Sequence, residues 1–158
     1  MLALHDKEQE FNLQFAINIK ASIMVIDDNH FNLVAAKLLL SEFGLACDIA
    51  ISGKKAIKLF KRRLEMQKID DKTKRIQIIF LDYEMPIMDG EAVMFELRKI
   101  FEEEESRQGS NFERPKICCM SAHTADNIRL RALEVGMDDY LTKPTGKSEM
   151  NMILQRYY

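Results

Sequence analysis

Ser22-Ile23-Met24-Val25-Ile26-Asp27-Asp28-Asn29 is an apolar run too short for a helix and rich in strand formers, and it stops abruptly on two acids and an asparagine. It predicts a buried strand over 22–26 with carboxylates at its carboxyl end, followed by a helix that Asn29 can cap. Phe31, Val34, Ala35, Leu38 and Leu39 then recur at helical spacing until Gly44 stops the pattern. The same unit repeats along the chain. Residues 45–51 read as a second strand and 53–69 as a second helix, with Ala56, Ile57, Phe60 and Leu64 on one face. Residues 76–81 form another short apolar run closed by a carboxylate, Asp82, and Pro86 then forbids an immediate regular helix.

A third helix is predicted over 91–101 through Ala92, Val93, Phe95, Leu97 and Ile100, and a fourth strand over 117–120 ending at Ser121 and Ala122. A fourth helix over 124–135 closes at Gly136, and a fifth strand over 140–142 is broken by Lys143-Pro144. A last helix carrying Met150, Ile153 and Leu154 runs towards Tyr158. Strict alternation of five strands with five helices implies an α/β doubly wound fold, a parallel sheet covered on both faces, because each right-handed crossover must return over the sheet. The acidic run at residues 102–105 and Gly109-Ser110-Asn111 are expected to form a mobile surface loop.

Composition bounds the function classes. The chain has 158 residues, enough for one compact domain with a core of its own, and its 47% hydrophobic and 30% charged fractions are those of an ordinary globular protein. A formal net charge of -2 gives no field that would draw it onto nucleic acid. Cys47, Cys118 and Cys119 lack zinc-site or disulfide-framework spacing and are expected to be reduced core thiols. His5, Asp6, Lys7 and Glu8 interrupt the stretch a signal peptide would need, and no run approaches a membrane span. A cytoplasmic, membrane-free segment is the expectation, whether or not a parent protein is attached to a membrane. Ten basic residues between Lys54 and Arg75 read first as a solvated helix face.

In doubly wound sheets ligands sit beyond the carboxyl ends of the strands, where strand order reverses. That rim receives Asp27 and Asp28 from the first strand, Asp82 from the third, Ser121 from the fourth and Lys143 from the fifth. Three crowded carboxylates are costly without a cation, and an all-oxygen set suits Mg2+ rather than zinc. A carboxylate is also a competent nucleophile towards phosphorus once its charge is balanced, and Asp82 is the best placed. Lys143 and the Ser121 hydroxyl can each neutralise or bind a phosphoryl oxygen. Taken singly, Asp27-Asp28 and Ser121 suit helix caps and Lys143 a loop lysine, but no cap or loop role gathers them on one rim.

Over residues 21–156 the chain resembles response-regulator receiver domains of two-component phosphorelays. The resemblance is carried by Val25-Ile26-Asp27-Asp28-Asn29 with Asn32 and by residues 80–90, Phe80-Leu81-Asp82-Tyr83-Glu84-Met85-Pro86-Ile87-Met88-Asp89-Gly90. Met120-Ser121-Ala122 and Gly136-Met137-Asp138-Asp139-Tyr140-Leu141-Thr142-Lys143-Pro144 complete it. It implies a flavodoxin-like sheet of order 2-1-3-4-5, a receiver domain over 21–158 and an N-terminal extension or linker over 1–20. It further implies Asp82 as phosphoacceptor and Mg2+, replaceable by Mn2+, on Asp28, Asp82 and the Glu84 carbonyl, with Asp27 holding metal-bound water. The donor would be a phosphohistidine on a histidine kinase or histidine phosphotransfer protein.

By the same resemblance Ser121 and Tyr140 are switch residues that alter the face made by the fourth helix, fifth strand and fifth helix, where an output partner would bind. Glu84 and His123, two residues beyond Asp82 and Ser121, would tune hydrolysis of the acyl phosphate. The segments read most like receivers of hybrid sensor kinases. Two further readings compete with this one. An aspartate-nucleophile phosphohydrolase would place a second aspartate where Glu84 stands, and a degenerate receiver acting only as a binding module would lack an active-site group, whereas none is missing here. Phe11, Leu13, Phe15, Ile17 and Ile19 alternate as in a strand that could dock on the domain, pair with another chain or belong to a linker.

Overall fold

A computed structural model describes residues 17–124 and 126–158. Within them β1 (Ile23–Ile26) is followed by α1 (His30–Glu42), β2 (Cys47–Ala50) by α2 (Gly53–Ile69), β3 (Ile78–Asp82) by α3 (Gly90–Gln108), β4 (Lys116–Ser121) by α4 (Asp126–Glu134), and β5 (Asp139–Thr142) by α5 (Lys147–Tyr157). All strand pairs are parallel and the order is β2-β1-β3-β4-β5. The chain steps outward from β1 to β2 and then returns across β1 to β3, so the order reverses between β1 and β3. Of the alternating apolar residues near the N-terminus, Phe11, Leu13 and Phe15 lie outside the described residues, while Ile17 packs against the core.

The period-two alternation of strand side chains divides the core into two layers. Met24, Ile26, Ile79, Leu81 and Cys119 point towards α2, α3 and α4, and Ile23, Val25, Ile78, Phe80, Cys118 and Met120 towards α1 and α5. The adjacent Cys118 and Cys119 therefore enter opposite layers, and all three cysteines are buried and free, as expected. No helix among the described residues is long and apolar enough to cross a membrane.

Three expectations need correction. The residues of α1 buried in the core are Leu33 and Leu40, each fully buried leucine worth about 1.5–3 kcal/mol. Phe31, Val34 and Leu38 point outward instead, with Phe31 83% exposed. The acidic run is not a loop: α3 continues through it to Gln108, because glutamate is a good helix former and Glu104 is buried against Lys68, Arg107 and Gln108. Arg63 is no part of a solvated basic face. It is 1% exposed, donates to the carbonyls of Asn18, Ala21 and Lys74, and lies 3.5 Å from Asp48 on β2.

Candidate functional site

The register of the sheet builds the site. Ile26 of β1 is level with Leu81 of β3, so the next residues, Asp27 and Asp82, emerge side by side at the reversal point. Asp82 is level with Met120, which places Ser121 one step beyond it, and Ser121 pairs with Thr142, which places Lys143 one step further on. Gly90 allows the first turn of α3 to press on the end of β3. A Cβ there would come within 2.9 Å of the Asp82 carbonyl oxygen and of Tyr83 Cα, so a side chain at this position would push the loop off the site. Asp89 caps α3 by accepting from the Ala92 N–H at 2.9 Å.

The predicted residues do converge. Lys143 Nζ lies 2.8 Å from Asp82 Oδ1 and 2.9 Å from Asp27 Oδ2. Carboxylate oxygens of Asp27, Asp28 and Asp82 lie within 4.8 Å of one another, Asp27 and Asp82 buried and Asp28 exposed. Asp27 is oriented by the Asn29 N–H at 2.8 Å and by the Asn32 side-chain amide, which reaches both of its oxygens at 3.1 and 3.2 Å. Asp82 Oδ1 also accepts from the Glu84 N–H at 3.2 Å. Three carboxylates against one ammonium leave two negative charges, and an all-oxygen, partly open set with that deficit suits a hard divalent cation.

Ser121, fully buried, donates to Glu84 Oε1 at 3.1 Å, and His123 Nε2 lies 2.9 Å from the same oxygen. Tyr140, half-buried on β5, donates its hydroxyl to the His123 carbonyl. Two residues quoted in the motifs were given no role there, and the structure shows each making a positioning contact. One is the Asn32 amide on Asp27; an asparagine in the first turn of a helix whose preceding strand ends in acids was the available signal. The other is the hydroxyl of Tyr83, next to Asp82, which donates to Glu91, itself held by Arg131 of α4 at 2.9 and 3.0 Å.

Burial pushes the Asp82 carboxyl up to about 6, reinforced by the neighbouring Asp27 and opposed by Lys143 and the Glu84 N–H. Burial works against the Lys143 charge, yet the bonds to Asp82 and Asp27 outweigh it and hold the ammonium above its usual range. A carboxyl whose folded pKa exceeds its unfolded value binds protons more tightly in the native state, so stability falls as pH rises from about 4 to about 6. In metal-free buffer Asp82→Asn, which leaves Lys143 its Asp27 partner, is expected to be more stable than wild type at pH 7 by about 2–3 kcal/mol. The gap should close below about pH 4, and millimolar Mg2+ should narrow it at pH 7 by stabilising only the wild type. Urea titrations across pH check this. Equal stability of the two proteins at pH 7 without metal would contradict it.

The response regulator receiver domain profile matches residues 23–155. Hybrid signal transduction histidine kinase L of Dictyostelium discoideum is 30% identical over 151 residues, which cover 96% of this chain and 8% of that protein. Among solved structures, the receiver domain of the histidine kinase CKI1 from Arabidopsis thaliana, complexed with Mg2+ and BeF3-, is 27% identical with a TM-score of 0.68, over 84% of this chain and 89% of that one. The Saccharomyces cerevisiae complex of the histidine phosphotransfer protein Ypd1 with the receiver domain of Ssk1 gives a TM-score of 0.72 at 20% identity, covering 87% of this chain and 88% of the matched chain. The chain spans only about a tenth of the length of the first curated relatives it matches, 8% of one and 11% of another.

Proposed function

Because the chain belongs to the response regulator receiver domain family, we propose that it is a regulatory phosphoacceptor in a phosphorelay, taking a phosphoryl group from phosphohistidine onto Asp82. The observation that carries this reading is the Lys143 ammonium held between Asp82 and Asp27 at 2.8 and 2.9 Å. An Asp82 oxygen attacks phosphorus, the P–N bond to the donor imidazole breaks with its electron pair left on nitrogen, and an acyl phosphate remains on Asp82. Lys143 then turns its charge to one phosphoryl oxygen and Ser121 donates to another. Asp28, Asp82 and the Glu84 carbonyl would hold Mg2+ directly and Asp27 through water, with Mn2+ able to substitute; when bound, the ion neutralises charge on the phosphoryl oxygens.

The receiver domain is taken as residues 21–158, preceded by an extension over 1–20, and the parent protein as a hybrid histidine kinase. Ser121 and Tyr140 transmit the change to the face of α4, β5 and α5, where an output partner binds. The link from Ser121 through the His123 backbone to the Tyr140 hydroxyl supports this route. Glu84 and His123 set the lifetime of the acyl phosphate. This makes the chain a switch rather than a turnover enzyme, acting in the cytoplasm.

The phosphohistidine carrier is assigned to α1. Phe31, Val34 and Leu38 form an exposed apolar stripe one, two and three turns along a helix whose Asn32 touches Asp27. Asn32, Ala35, Ala36 and Leu39 of the same helix line a cleft of about 430 Å³ that reaches Asp27 and Lys143. That one helix carries both the exposed stripe and residues lining the cleft to Asp27 and Lys143 is what commits it to the donor protein rather than to the output partner. The test uses a phosphohistidine protein carrying labelled phosphate. Wild type should take up the label with Mg2+ present, Asp82→Asn should take up none, and Phe31→Asp should be slowed at least about tenfold, as expected for an aromatic anchor. Uptake of acetyl phosphate by Phe31→Asp should change far less. Equal slowing with both donors would remove α1 from the docking face, and label on Asp82→Asn would remove Asp82 from the reaction.

A further inference from the structure

Ser121 ends β4 fully buried, and a hydroxyl has one proton to give. That proton goes to Glu84 Oε1 at 3.1 Å, the oxygen that also lies 2.9 Å from His123 Nε2. The Ser121 oxygen accepts from the His123 N–H at 3.1 Å, and the His123 carbonyl accepts from the Tyr140 hydroxyl. Glu84, Ser121, His123 and Tyr140 thus form one continuous set of hydrogen bonds joining the loop after β3, the loop after β4 and the strand β5. The imidazole shares the carboxylate oxygen used by Ser121 and so keeps Glu84 turned towards it.

A phosphoryl group on Asp82 would need the Ser121 proton, and a single proton cannot serve two anions. We propose that the Glu84 carboxylate is a built-in competitor of the phosphoryl group. It is a positioning residue that holds Ser121, and through the His123 backbone Tyr140, in the resting arrangement, and it must release the hydroxyl before the phosphorylated arrangement can form. This rests on Asp82 being the phosphoacceptor. It goes beyond a role in acyl-phosphate lifetime because it assigns Glu84 control of loading itself. Charge acts in the same direction, since Glu84 and the incoming group are both anions. The backbone carbonyl of Glu84, the proposed metal ligand, is untouched by changes to its side chain.

BeF3- with Mg2+ is a probe that fills the place of the phosphoryl group without turnover, and its affinity for the full chain can be read by amide NMR at Ser121, His123 and Tyr140. Glu84→Ala is expected to bind BeF3- about tenfold more tightly, the scale of one hydrogen bond to a charged acceptor, and Glu84→Gln to fall between it and wild type. The unloaded Ser121 and His123 amide signals of both variants should shift towards positions that wild type adopts only when loaded. In a Ser121→Ala background the gain from Glu84→Ala should shrink to within about twofold, because the coupling partner is gone. A gain that persists in full without Ser121 would reduce the effect to simple charge removal and overturn the proposal. So would wild-type loading with no gain in either Glu84 variant, and that result would leave the phosphoacceptor reading standing. A folded wild type that binds no BeF3- would overturn both.

Discussion

Lys143→Ala is expected to take up phosphoryl groups from acetyl phosphate at least about 100-fold more slowly than wild type, the usual cost of removing one preorganised electrostatic partner from a transition state. Two effects add. Lys143 is the cation within hydrogen-bond distance of both buried carboxylates, at 2.8 Å from Asp82 and 2.9 Å from Asp27. Without it Asp82 loses the hydrogen bond that most opposes its burial, so its carboxyl, already pushed up to about 6, rises further and is protonated more of the time near neutral pH. A protonated carboxyl is a poor nucleophile, and the phosphoryl oxygens lose their ammonium partner. Lys143→Arg should recover part of the rate, since it restores the charge but spreads it over a planar fork. Time courses of intact mass at several pH values separate the effects: the deficit of Lys143→Ala should lessen as pH rises and Asp82 ionises. A rate within threefold of wild type would contradict the assignment.

Arg63→Ala should be the most destabilising single substitution outside the apolar core, at about 3–5 kcal/mol. It would strand the buried Asp48 carboxylate, whose proton affinity burial already raises, and take the donor away from the carbonyls of Asn18, Ala21 and Lys74. Replacing both partners, Arg63→Met with Asp48→Asn, should regain much of the loss, because the larger penalty comes from leaving one charge unpaired. Urea unfolding measures it, and a loss under about 1 kcal/mol for Arg63→Ala would contradict it. Arg63 ties the turn at Asn18–Ala21 to α2 and to the loop before β3, so the residues just before β1 are part of the folded unit's support.

The doubly wound sheet was legible because each strand is a short apolar run closed by a polar residue, and each helix a periodic stretch between cap and glycine; its strand order followed from the resemblance to receiver domains. The acidic rim was legible for the same reason: in a parallel sheet the residue that ends a strand is by construction on the shared edge. Elsewhere the pattern underdetermined the outcome. Residues 31–40 of α1 hold apolar side chains on overlapping faces, and spacing alone does not choose between Leu33 with Leu40 and Phe31 with Leu38. Residues 102–105 read as a loop by charge, although helix propensity and partners at Lys68, Arg107 and Gln108 carry α3 through them. Arg63 stands four residues after Leu59 and three after Phe60, on the buried stripe of α2, which was a readable sign that it would need an acidic partner inside. The Glu84 to Ser121 bond had no such sign, since Glu84 lies in the loop after β3 and residue spacing does not say how that loop meets the end of β4.

Asp82, opposite Lys143 and beside Asp27 and Asp28, is the residue we propose to carry phosphate in this chain. Peptide-resolved mass spectrometry of the intact chain after incubation with acetyl phosphate and Mg2+ tests it most directly. A single phosphoryl group on the peptide containing Asp82, lost with Asp82→Asn and with EDTA, is the predicted result. A group mapped to any other residue, or undiminished in Asp82→Asn, would contradict the account.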